Sequence, residues 1–164
     1  MLAAIATNHP AAFVEVGGVS VAVTAAALAS YLAAMDISRP QCLRTCYNVA
    51  CALECGTRSG DGREALMSTP AWFENLSYMA AVVGDSADAP TYAPLHRELV
   101  VTVIARIASN ATGLADMQAQ AESIERLASS LGDNTPVAAT RLLGKLVART
   151  FGANDSRRSL SNTL

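Results

Sequence analysis

Four cysteines, Cys42, Cys46, Cys51 and Cys55, fall in the pattern C-x3-C-x4-C-x3-C. Thiolates this close together are the side chains here best suited to bind a soft metal or exchange electrons. On a continuous helix the first pair shares one face, and the second pair lies roughly 180° around the axis from it. Four ligands so arranged do not converge on one tetrahedral ion. Zinc-binding pairs are also normally separated by enough chain to fold back, which the four residues between Cys46 and Cys51 do not provide. Buried structural thiols are therefore favoured over a metal or redox site, and no metal or cofactor is expected.

The remaining chemistry is sparse. His9 and His96 are the only histidines, and neither has the Ser, Cys or Asp partners in sequence that a nucleophilic site needs. Gly56, Gly60 and Gly62 do not follow a strand and lack phosphate-loop spacing. A non-enzymatic protein is expected.

Charge is distributed unevenly. The chain of 164 residues has a formal net charge of -2, which excludes a polycation that coats nucleic acid by charge alone. Its end is basic, with Arg141, Lys145, Arg149, Arg157 and Arg158 against the single acid Asp155. Eleven of the twelve basic residues are arginine, the side chain suited to fixed, two-pronged phosphate contacts. Residues 17–35 carry no formal charge, but they include Ser20, Thr24, Ser30 and Tyr31, and Glu15 stands where a signal peptide needs a cation. A soluble, intracellular chain without a membrane span is expected.

The elements that would position these residues are helices. Half the residues are apolar (51%), aromatics are only 5%, and alanine supplies much of the apolar count, which favours closely packed helices. The expectation is an all-α bundle of about six helices over residues 24–152, an N-terminal arm over 1–23 and a tail over 153–164. Phe13 to Val23 alternates apolar and small residues about Gly17-Gly18, the pattern of a short β-hairpin or extended arm. Thr24 is expected to cap a first helix bearing Leu28, Tyr31, Leu32 and Met35 on one side. A second helix starts near Ser38 and Pro40 and stops at Gly56, and a third has Thr69 as cap and Pro70 in its first turn. Leu95, Leu99, Val103 and Ile107, with Val100 and Ile104 beside them, form the strongest apolar stripe. A fifth helix is expected from Leu114 to Leu131, and a sixth from Thr135-Pro136 toward Gly152.

Several of these boundaries carry short signatures in a fixed order. Tyr47-Asn48-Val49-Ala50 leads to Glu54-Cys55-Gly56-Thr57-Arg58-Ser59. Pro90-Thr91-Tyr92 then opens a long helix, followed by Gly113-Leu114, Ser123-Ile124-Glu125-Arg126-Leu127-Ala128, Thr135-Pro136-Val137-Ala138 and Arg149-Thr150-Phe151-Gly152. Over residues 24–155 this order resembles the coat-protein core of flexible filamentous plant RNA viruses of the potyvirus and potexvirus kinds. The resemblance implies an α-helical core, an extended arm that grips a neighbouring subunit, and a pocket for single-stranded RNA built around a Ser, an Arg and an Asp.

Ser59 matches the family's Ser. Ala93 and Ser130 occupy the places of its Arg and Asp, so Arg97, one turn on, and Asp133 are the nearest equivalents. In this resemblance Ser59 donates to a phosphate, Arg97 pairs with it and Asp133 orients the Arg or a base, with Arg58 and Arg126 as further RNA contacts. The implied protein is a coat subunit of a virion in the host cytoplasm, polymerising with copies of itself around single-stranded RNA. The alternatives are a cellular helical adaptor that forms a small oligomer, and a thiol or metal protein using the four cysteines.

Overall fold

The computed structural model describes residues 1–82, 93–131 and 144. Nine helices account for almost all of them, and no strand occurs among the described residues. They are α1 (Leu2–Asn8), α2 (Pro10–Glu15), α3 (Gly18–Ala34), α4 (Arg39–Gly56), α5 (Gly60–Met67), α6 (Trp72–Val82), α7 (Ala93–Ala108), α8 (Ala111–Gln118) and α9 (Ala121–Leu131). The expected helical bundle is present. The sixth expected helix and the basic end from Arg141 onward lie outside the described residues.

The expected hairpin or arm is replaced by three helices. Gly17, at φ +76°, takes the left-handed conformation that ends α2 and turns the chain into α3. Val19, Val21 and Val23 alternate as a strand would, but Val19 and Val23 are also one helical turn apart, and with Ala22 and Ala26 they form a continuous buried face. Thr24 is interior to α3 rather than its cap, and its hydroxyl donates to the Ser20 carbonyl at 3.0 Å.

The first helices fold back on the body of the same chain. α1 and α2 pack against α4, burying Ala6 and Phe13. The Phe13 ring is held between two glycines. A β-carbon on Gly18 would collide with the ring, and one on Gly56 would stand 3.1 Å from Phe13 Cε1. Gly56 is thus the place where an aromatic ring lies directly on the α4 backbone.

α3 meets α4 through small side chains. Its buried face is Gly18, Val19, Ala22, Val23, Ala26, Ala29, Ser30 and Ala33, set against Leu43, Cys46, Val49, Ala50 and Leu53 of α4 among others. Of the large residues expected on one side of this helix, Leu28, Tyr31 and Met35 are exposed, while Leu32 is half-buried against the core. Residues 35–38 return the chain to α4, with Asp36 and Ser38 at positive φ. The Arg39 guanidinium donates to the Ala33 carbonyl at 2.7 Å and the Val82 carbonyl at 3.3 Å, satisfying the open C-terminal ends of α3 and α6 together.

The later helices depart from expectation in detail. α5 has no counterpart among the expected helices, and α6 starts at Trp72, after Ala71 at φ +53°, rather than at Pro70. Thr69 is buried, its hydroxyl bonded to the Ala65 carbonyl. The buried line of α7 runs through Val100, Val103, Ile104 and Ile107, while Leu95 is exposed and Leu99 only partly covered. The expected helix 114–131 is two helices, broken at Ala119 and Gln120. Asn110 caps the first by accepting from the Thr112 amide at 2.8 Å. The Trp72 indole N–H donates to Asp116 at 2.9 Å and ties α6 to α8. Among the described residues no single helix is long and apolar enough to cross a membrane, and the one pair that qualifies by length, α7 with α8, is bent by 113°.

Phe13→Ala should destabilise the chain by about 3–5 kcal/mol, the cost of emptying a fully buried aromatic site. Urea unfolding measures it. A loss below about 0.5 kcal/mol, the range of a surface substitution, would mean that residues 1–16 are not part of the core.

Candidate functional site

Two of the five proposed RNA contacts, Arg58 and Ser59, come together at the corner between α4 and α5. α4 ends at Gly56, Thr57 is buried with its hydroxyl on the Leu53 carbonyl at 2.7 Å, and the chain turns outward through Arg58. Ser59 begins α5 as its N-cap. Its oxygen accepts from the Gly62 amide at 3.0 Å, and its hydroxyl donates to the Gly56 carbonyl at 3.2 Å. The proton that was expected to reach a phosphate is directed at the backbone. Gly62 is held close to that same carbonyl, where a β-carbon would collide with it.

Glu54 organises the charge at this corner. Arg58 approaches from one turn further on, with Nη2 2.8 Å from Oε2. Arg106, from α7, donates to Glu54 Oε1 and also to the Glu54 backbone carbonyl at 2.7 Å. Partial burial pushes the Glu54 carboxyl up, but hydrogen bonds and charge from Arg58 and Arg106 outweigh it, leaving the group below its ordinary value. Arg63 closes the turn by donating to the Thr57 and Arg58 carbonyls at 3.2 and 3.0 Å. Three guanidinia therefore gather here, and of them only Arg58 is among the expected RNA contacts. The Glu54 and Arg58 pair is visible in sequence as an i, i+4 match, whereas Arg106 is supplied by tertiary packing. Asp61 and Glu64 stand exposed on the next turn, so the corner as a whole is close to neutral.

The other predicted contacts fall elsewhere. Arg97 is half-buried on α7, nine residues before Arg106 and hence about half a turn around the helix from it. It follows that α7 presents Arg106, not Arg97, to the Ser59 corner. Arg126 lies on α9 with its guanidinium carbon 5.6 Å from the Tyr78 ring centre, a cation–π contact across the α6–α9 packing. It lines a polar groove of about 410 Å³ together with Glu74 and Glu122, carboxylates that disfavour a phosphate there. Asp133 lies outside the described residues.

The four thiols occupy two sides of the unbroken helix α4. Cys42 and Cys46 are buried, Cys42 donating to the Ile37 carbonyl at 3.4 Å and Cys46 lying 3.6 Å from the Ser30 hydroxyl of α3. Burial pushes the Cys46 thiol up despite the Ser30 contact. Cys51 shares a side-chain hydrogen bond with Tyr47, and Cys55 is 3.7 Å from Thr7 of α1. All four are free, and no group of three potential metal ligands is found among the described residues. His96 is fully buried between α6 and α7, where burial, with the Met79 backbone opposing and the Arg97 charge adding, lowers its pKa to about 4. It is neutral at pH 7, and neither ring nitrogen makes a well-aligned hydrogen bond.

Glu54→Gln removes the charge that Arg58 and Arg106 share. At pH 7 it should cost about 1 kcal/mol, a modest figure because solvent screens the Arg58 side of the pair. A carboxyl held below its ordinary value of 4.5 contributes stability that is present above that pH and is lost as pH falls through the lower folded value. The gap between parent and variant, followed by urea unfolding from pH 7 to pH 3, should therefore narrow; a constant gap would assign the effect to packing alone. Compared with protein-family models, with curated proteins and with solved structures, the chain matches none.

Proposed function

We propose that this chain is a non-enzymatic structural subunit that assembles with copies of itself and packages single-stranded RNA. One observation carries the proposal: the stretch Glu54 to Ser59, which resembles the family's RNA-pocket turn, forms a surface corner where the 66% exposed Arg58 side chain stands beside Ser59. In such an assembly Arg58 offers its guanidinium to a phosphate, with Arg106 compensating Glu54 when Arg58 turns outward. A near-neutral subunit can still hold RNA, because a lattice repeats one or two weak contacts along the strand.

The mode of assembly differs from the one the resemblance implies. With Ala6 and Phe13 buried in the body of their own chain, residues 1–16 do not form a free arm in this conformation. Contacts between subunits must then run through helix faces. This same observation favours the second reading, an adaptor-like bundle that stops at a small closed oligomer without nucleic acid.

Absorbance at 260 against 280 nm and negative-stain microscopy of purified material separate the two. A packaging subunit should yield filaments or rings with RNase-sensitive nucleic acid, and Arg58→Ala should reduce the RNA content severalfold with unchanged helical content. A discrete small oligomer with a protein-only absorbance ratio would overturn the proposal and favour the adaptor.

A further inference from the structure

α3 is apolar on both sides. One side is the alanine-rich face packed in the core. The opposite side carries Val21, Leu28 and Tyr31 and, at its C-cap, Met35, exposed by 55%, 61%, 58% and 53%. With Thr24 between them, these residues follow the spacing 3-4-3-4, the seam of a two-helix coiled coil. A helix that is apolar all round is ordinarily covered on all sides. No described segment of the chain covers this one.

We infer that the Val21–Thr24–Leu28–Tyr31–Met35 seam of α3 is a self-association surface that pairs with the same seam of a second copy. The chemistry of its borders selects that occupant. Positions flanking a coiled-coil seam normally carry the charges that choose a different partner; here they are Ser20, Ala25, Ala27, Leu32 and Ala34. Such a border holds no charge for a charged partner to match and is complementary to itself, and all of it but Leu32 is small enough to let two helices approach closely. The ends of the helix are marked by exposed Glu15 and Asp36, which an anionic lipid surface repels and which replace the Lys and Arg typical of interfacial helices.

Size agrees with a reversible pair rather than a permanent one. The seam side chains present a patch on the order of 400–500 Å² per copy, so a pair buries about 800–1,000 Å² in all, the range of weak, transient interfaces. Of the flanking side chains, Ser20 and Ala34 are exposed and add to the contact as the helices close, whereas Ala25 and Leu32 are already partly packed on the core. Leu28 lies midway between Val21 and Met35, so a two-fold axis through the seam places it at or near the centre in either helix direction.

This inference does not rest on RNA packaging. Sedimentation of the full chain without RNA, over about 1–50 μM protein, tests it. The parent should be a dimer or a larger multiple of dimers, and Leu28→Glu should raise the dissociation constant at least 10–100-fold, the loss of one buried leucine. Circular dichroism should show unchanged helix, and Leu28→Gln, uncharged, serves in its place if the Glu variant does not fold. A parent that stays monomeric at 50 μM overturns the inference, as does a variant that associates as the parent does. A monomeric parent that floats with neutral phosphatidylcholine vesicles would assign the seam to lipid and equally overturn it. Dimers that disappear with Leu28→Glu but never hold RNA uphold the seam and refute packaging. Filaments of the Leu28→Glu variant that form and still hold RNase-sensitive RNA do the reverse.

Discussion

The close approach of α3 to α4 is the constraint from which the rest of the structure follows. Alanine, glycine, serine and cysteine at Gly18, Ala22, Ala26, Ala29, Ser30 and Ala33, facing Cys46 and Ala50, let two backbones come together where leucines would hold them apart. Each small side chain removes little apolar surface from water, so the pair depends on many dispersion contacts at short range. This geometry leaves no room for the larger residues of α3 on its inner side. Leu28, Tyr31 and Met35 are displaced outward, and the external seam is the consequence of a core built from alanine. The same economy of space explains Phe13, whose ring finds room at that end of the pair because Gly18 and Gly56 carry no side chain.

The Glu54 corner links this core to the outer surface. α4 stops where Phe13 covers Gly56, and the chain must turn there. Thr57, Ser59 and Arg63 each bond a backbone group of that turn. Its arginines have structural work to do, which sets a condition on any ligand: a phosphate that takes Arg58 competes with Glu54. Arg106 permits the exchange, because it keeps Glu54 neutralised and hydrogen-bonded from the protein side. Ser59, by contrast, has both its donor and its acceptor role committed to the backbone, so its contribution to the corner is shape.

Fold class was legible in the sequence, and so were the elements with chemical punctuation. α4 starts at Arg39, with Pro40 in its first turn, and ends at Gly56, and α7 follows from its apolar stripe. Misreadings arose where two periods fit the same residues. Val19, Val21 and Val23 satisfy a strand by alternation and a helix by the i, i+4 relation of the outer pair, and burial beneath α4 decided for the helix. α5 was hidden because Gly60 and Gly62 signal a turn, although one of them is required by the close approach to the Gly56 carbonyl. The break at Ala119 and Gln120 has no glycine or proline to announce it. Of the candidate site, the pairing of Arg58 with Ser59 was legible because they are neighbours; Arg106 was not, since nothing local distinguishes it from Arg97, and only the rotation of α7 against α4 chooses between them.

The central claim is that the N-terminal helices belong to the bundle and that its outward face, not a loose arm, is what the chain offers to its own copies. Hydrogen exchange of backbone amides in the full chain tests it most directly. The account predicts that amides of residues 13–16 and 21–34 are protected together with those of α4, as members of one cooperative unit. Exchange of residues 1–17 at the rate of an unstructured peptide, with α4 still protected, would contradict it.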